Sequence, residues 1–133
     1  MLRSTSPIMP FIYGAGLALG FFFLVGYLFW RGTVVVMKAR RLVGTGAHLV
    51  DAGTREEFSL AHIPGSRNIP GPEVAQRHAE IGPPTDDVVV YARSAFRSAR
   101  AAQVLRGIGY RSVLSLGSMD RWRIAGLDDD ARL

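Results

Sequence analysis

Between residues 88 and 98 the chain reads Val88-Val89-Val90-Tyr91-Ala92-Arg93-Ser94-Ala95-Phe96-Arg97-Ser98. An apolar run suited to a buried strand enters a short Arg/Ser segment, and helix-forming composition continues from Ser98 to Gly107. A strand–loop–helix junction gathers backbone N–H groups at the positive end of a helix dipole, which is the chemistry of an anion cradle. Arg93, Arg97 and Arg100 add positive charge to it. The anion-binding loop is therefore expected over Ala92, Arg93, Ser94, Ala95, Phe96, Arg97 and Ser98. The residue that opens it, where group transfer would need a thiolate or hydroxyl, is Ala92. A methyl group neither ionises nor attacks, so the sequence predicts a cradle without a nucleophile.

Nothing elsewhere in the sequence supplies the missing group. The chain has no cysteine, which excludes disulfides, thiolate metal sites and cysteine catalysis together. Ser94 and Ser98 are poor replacements, because an alkoxide needs a positioned base and none is evident. His48, His62 and His78 show no metal-ligand spacing, so neither a metal nor a cofactor is expected. His62, within His-Ile-Pro-Gly, reads as a turn and packing residue. Net charge is +5, but the cations are spread along the chain without a basic stripe, and no nucleic-acid partner is expected.

The elements that must position the loop follow from the hydropathy pattern. No charged residue occurs from Pro10 to Trp30. Phe11 to Trp30 would span roughly 30 Å as a helix, the thickness of a bilayer core. Arg3 stands alone before this run, whereas Arg31, Lys38, Arg40 and Arg41 follow it. The positive-inside rule then predicts a single-pass protein of a bacterial inner membrane with its C-terminal part in the cytoplasm. The cations after the run are also placed to meet anionic head groups. Gly16 and Gly20 fit a helix-dimerisation face. The expected organisation is an N-terminal tail (1–9), a transmembrane helix (10–31), a linker (32–37), a domain (38–128) and a C-terminal tail (129–133). Within the linker, Thr33–Val36 suits either a continued helix or a short edge strand.

Beyond it, Met37 to Val43 reads as a short helix, His48–Asp51 as a strand, and Thr54 with Glu57 as a capping box that starts a helical turn through Leu60. Arg67–Ile69 is a second strand, Glu73–Ile81 a helix stopped by Gly82-Pro83-Pro84, and Val88–Tyr91 a strand buried on both faces. Ser112–Leu116 is the last strand and Met119–Ala125 the last helix. Short strands alternating with helices mean a small α/β domain with a mainly parallel sheet. Ligands of such folds lie at the carboxyl ends of the strands, where the 92–97 loop falls.

Three stretches together resemble the rhodanese-like (sulfurtransferase) family: Leu49–Phe58 followed by Ala61–Pro70; Val88–Ser98 continuing to Tyr110; and Leu116–Asp120 leading to Trp122 and Ala125-Gly126-Leu127. The resemblance implies a small parallel sheet flanked by helices. It also implies a loop that opens with a cysteine carrying sulfane sulfur as a persulfide, the position here held by Ala92. By the same resemblance Asp51 organises the loop and Arg97 helps to hold an anionic donor. Three further residues depart from the family pattern: Gly53 stands where Arg is usual, Ala95 where the loop has Gly, and Ser118 where a second Gly is usual. If Ala95 had to adopt positive φ, the loop would be strained or reshaped. These departures favour a naturally drifted site. The expectation is a membrane-anchored domain without sulfurtransferase activity that binds an anion such as thiosulfate or sulfate, or a partner's persulfide. The alternative is a variant of an active thiosulfate sulfurtransferase.

Overall fold

The computed structural model describes residues 9–124. Residues 1–8 of the expected N-terminal tail (1–9), the expected C-terminal tail (129–133) and the last expected residues of the domain, 125–128, lie outside the described residues.

The first element is one helix, α1 (Met9–Gly44). The stretch expected as a linker, 32–37, is helical throughout. No proline interrupts the stretch, a single glycine such as Gly32 costs only about 1 kcal/mol in a helix, and Thr33–Val36 continues helical rather than forming an edge strand. The described residues divide into two units inside α1, between Gly32 and Thr33. In the first unit Leu17, Phe21, Phe22 and Phe23 are exposed by 70% or more. Here the helix is long and apolar enough to cross a membrane.

The second unit holds a four-stranded parallel sheet in the order β2-β1-β3-β4. Its strands are β1 (His48–Asp51), β2 (Arg67–Asn68), β3 (Asp87–Ala92) and β4 (Ser112–Ser118). The helices are the C-terminal part of α1, then α2 (Arg55–Leu60), α3 (Val74–Arg77), α4 (Ala95–Ile108) and α5 (Met119–Ile124). The helix predicted over Glu73–Ile81 is instead α3 between two 3-10 turns, Gly71–Glu73 and His78–Glu80.

Alternation along β3 builds a core on each side of the sheet. Val88, Val90 and Ala92 pack with Val50, Ile69, Val74, Ala101 and Leu105, the side of α3 and α4. Val89 and Tyr91 pack with Val36, Ala39, Leu49, Leu116 and Met119, the side of α1 and α5. Covering both faces explains why this strand reads as an unbroken apolar run. Burial of Val36 and Ala39 also explains why α1 holds its helical form beyond Gly32.

The β3–β4 ladder carries a bulge: Val90 pairs with Ser115 and Tyr91 with Gly117, leaving Leu116 as the extra residue. Gly117 takes φ +93°, which side-chain-bearing residues rarely adopt. Ser98 of α4 pins this irregularity. Its buried hydroxyl donates to the Val90 carbonyl (2.9 Å), lies 2.7 Å from Ser115 Oγ and accepts from the Gly117 N–H (3.3 Å). Ser98→Ala would strand these buried groups, at a cost of about 1–3 kcal/mol. Thermal and chemical denaturation of the full chain in detergent should show that loss, and an unchanged midpoint would contradict it.

Candidate functional site

The carboxyl edge of the sheet brings together Asp51, Asn68, Ala92 and Ser118, the last residues of the four strands. Only Arg93 and Ser94 separate the end of β3 from α4. The helix therefore starts three residues before the Ser98 predicted from sequence, and Ala95, Phe96 and Arg97 form its first turn rather than an open loop. The reason is local. Ser94 is an N-cap whose Oγ accepts the Arg97 N–H at 3.3 Å, and Ala95 is a strong helix former. Among the described residues no non-glycine has positive φ, so Ala95 carries no such strain.

The two loop arginines are held by groups of the protein itself. Arg97 donates to Glu57 through two parallel bonds, Nη1 to Oε1 at 2.9 Å and Nη2 to Oε2 at 3.0 Å. These bonds, with the Thr54 N–H and the charges of Arg97 and Arg93, hold the Glu57 carboxyl below its ordinary range, and Glu57 raises Arg97 in turn. Arg93 donates to the carbonyls of Glu57 and Ala61 and reaches Met119 Sδ at 3.5 Å. It thereby adds a second donor to the Glu57 carbonyl, which already accepts the Ala61 N–H, and supplies one to the carbonyl of the C-cap residue Ala61. Arg100 is exposed, and its side chain has no hydrogen bond or ion pair among the described residues.

Glu57 has a double role that the sequence showed only in part. The predicted capping box is present: Thr54 Oγ1 accepts the Glu57 N–H at 3.1 Å, and Glu57 Oε2 accepts the Thr54 N–H at 2.8 Å. The same carboxylate also binds Arg97, 40 positions away, a pairing with no local signal.

Asp51 is 1% exposed. Its Oδ1 accepts the Gly53 N–H at 2.7 Å, while buried Oδ2 has no partner among the described residues. Asn68 Nδ2 ties the same turn by donating to the carbonyls of Asp51 and Gly53. A Cβ on Gly53 would lie 2.8 Å from both Asp51 Oδ1 and Glu57 Oε2, so a side chain here would require those carboxylates to shift. Ala92 is 1% exposed and belongs to the core on the α4 side. Ser98 is fully buried in the bulge contacts above.

Beside these groups lies a groove of about 460 Å³, with Ala52, Pro72, Ala101 and Val104 as apolar lining and Phe96, Arg97 and Arg100 along it. Phe96 is 73% exposed. The histidines lie outside this arrangement. His62 stacks on Phe58 at 3.8 Å and its Nδ1 is 2.8 Å from the Phe58 carbonyl oxygen. His48 pairs with Asp86 at 2.8 Å, and the His78 ring meets that of Tyr110 edge-on. Among the described residues no group of three or more His, Cys, Asp or Glu could hold a metal ion. Tyr91, which sequence reasoning took only as a core residue, has a polar function as well. Its hydroxyl accepts the Ile63 N–H at 3.0 Å and lies 2.8 Å from Ser66 Oγ, and burial pushes its titration up.

A parallel sheet covered by helices on both faces, with an arginine-bearing β3–α4 junction at its carboxyl edge, defines a small α/β domain of the kind that binds ligands at that edge. The sequence profile of the Rhodanese-like domain matches residues 36–125, and the chain belongs to that family. It is 41% identical over 78 residues to the protein YqhL of Bacillus subtilis (strain 168), covering 57% of this chain and 60% of YqhL. The chain thus spans less than two thirds of that relative. It is 33% identical over 73 residues to the thiosulfate sulfurtransferase PspE of Escherichia coli (strain K12), covering 54% of this chain and 70% of PspE. Among solved structures, a rhodanese with anions from E. coli superposes with a TM-score of 0.55 at 30% identity, covering 57% of this chain and 91% of that one.

The Arg97–Glu57 pair gives a pH dependence whose sign is fixed. Glu57 titrates lower folded than unfolded, so its stabilisation is complete above about pH 4.3, the unfolded carboxyl value, and fades as pH falls through the folded one. With Arg97 38% and Glu57 29% exposed, solvent screening limits the effect to about 1 kcal/mol or less. Glu57→Gln should flatten the acid limb of stability against pH. An unaltered acid limb would contradict the pairing.

Proposed function

We propose that this chain is a membrane-anchored rhodanese-like domain without sulfurtransferase activity, acting as a module that binds a small anion or a partner's persulfide. Ala92 carries this reading. It stands at the position that the resemblance gives to the sulfur-carrying cysteine, it is buried at the end of β3, and the chain contains no cysteine to replace it. Neither nearby serine is available for attack, since Ser94 Oγ caps α4 and Ser98 Oγ is fixed inside the bulge. Likeness to a protein named thiosulfate sulfurtransferase supports the shared scaffold, and sulfur transfer on that scaffold needs a thiolate.

Anion binding is supported by the clustering of Arg93, Arg97 and Arg100 at a helix N-terminus. In the folded chain Glu57 already supplies an anion to Arg97, so a ligand such as sulfate, thiosulfate or a persulfide must displace that carboxylate or engage Arg100. Anchoring is supported by the apolar length of α1, and a cytoplasmic domain by the cations Arg31, Lys38, Arg40 and Arg41 on its C-terminal side.

Two measurements test this reading. The full chain with Ala92→Cys should remain inactive in thiosulfate:cyanide turnover; activity at the level of working relatives would replace the proposal with a variant of an active enzyme. In sulfate titrations Glu57→Gln should tighten binding about fivefold, the effect of removing one competing exposed ion pair, and Arg97→Ala should abolish it. Absence of sulfate binding in every form would remove the anion-binding part.

A further inference from the structure

We propose that an exposed stripe of α1, formed by Val34, Met37, Lys38 and Arg41, docks on the head groups of anionic phospholipids. The proposal rests on the membrane-anchor reading above. From Met9 to Gly44 the helix contains no Asp or Glu. One side of its C-terminal part is core, with Val36 3% and Ala39 0% exposed. Positions 34, 37, 38 and 41 recur at the i, i+3, i+4, i+7 spacing that places side chains in a single row. Val34 is 42% and Met37 65% exposed, and Lys38 and Arg41 are exposed as well.

The neighbouring cation shows what an occupied arginine looks like. Arg40 lies with Cζ 4.5 Å over the Trp122 ring and donates from Nη2 to the Trp122 carbonyl at 3.0 Å. Lys38 and Arg41 have no such side-chain partner among the described residues.

Helix geometry then selects the occupant. Side chains on an α-helix lean toward its N-terminus, so the stems of Lys38 and Arg41 run back along Met37 and Val34 toward the apolar end. In the sequence Lys38 follows Trp30, the last residue of the uncharged run, by eight positions and Arg41 by eleven. The negative potential of an anionic leaflet reaches about a Debye length, about 8 Å, beyond its head groups and attracts cations that follow a span this soon in sequence. Long cationic side chains that lay their stems on apolar surface and extend a charged head are suited to this layer. A second copy of the same stripe would bring Lys38 and Arg41 against like charges.

The absence of native cysteine makes single labels unambiguous. The full chain carrying Met37→Cys with a fluorescent label is reconstituted in vesicles of phosphatidylcholine alone or with phosphatidylglycerol, each with head-group spin-labelled lipid. Phe22→Cys with a mid-bilayer quencher reports the span, and Gln103→Cys serves as an exposed reference. The expected result is quenching at position 37 that appears with phosphatidylglycerol, weakens at high salt, and exceeds that at 103. Lys38→Gln and Arg41→Gln should each lower the docked-to-free ratio about fivefold. An unquenched label at 37 beside a quenched label at 22 would overturn the docking and leave the anchor standing. An unquenched label at 22 would overturn both. Quenching equal in both lipids and indifferent to the charge variants, or a signal that follows protein-to-lipid ratio, would overturn lipid recognition, the latter in favour of a second copy.

Discussion

Burial of β3 on both faces is the constraint from which the rest of the second unit follows. Val88, Val89 and Val90 are fully buried, and each face of this strand needs its own cover. The side of Val88, Val90 and Ala92 is closed by α3 and α4, the side of Val89 and Tyr91 by α1 and α5. At roughly 25 cal/mol per Å² of apolar surface removed from water, this double cover is the dominant favourable contribution to the domain. It also makes the second half of α1 a structural part of the domain rather than a tether. A strand held so firmly fixes the direction in which its last residue, Ala92, delivers the chain into α4.

What stands at that junction is a closed set of contacts. Ser94 caps α4, Arg93 closes the carbonyl end of α2, and Arg97 takes Glu57. Glu57 is central because one carboxylate both starts α2 and neutralises Arg97. The short turn at Gly53 belongs to the same arrangement, since a side chain there would strike Asp51 and Glu57. The carboxyl edge of the sheet thus carries its own carboxylate beside the arginine and a methyl group at the end of the strand.

Much of this was legible before any coordinates. The apolar run at 88–91 and the Thr54/Glu57 capping box both express local rules, and the strand at His48–Asp51 has the bounds read from sequence. Three features were not legible, two of them for a tertiary reason. Thr33–Val36 has no strong local preference, and burial of Val36 against the sheet decides for helix. The start of α4 moves from the expected Ser98 to Ala95 for a local reason, because the Ser94 side chain caps the helix. The Arg97–Glu57 pair and the bulge contacts of Ser98 join residues far apart in the chain, and no periodicity encodes them.

The most direct test of the central claim uses the unmodified chain. Purified full-length protein is incubated with thiosulfate labelled at its sulfane sulfur, and its intact mass and bound label are then measured. An unchanged covalent mass with no transferable label is the predicted result, because Ala92 can hold no sulfur and no cysteine exists elsewhere. A gain of one sulfur atom that cyanide then removes as thiocyanate would contradict it.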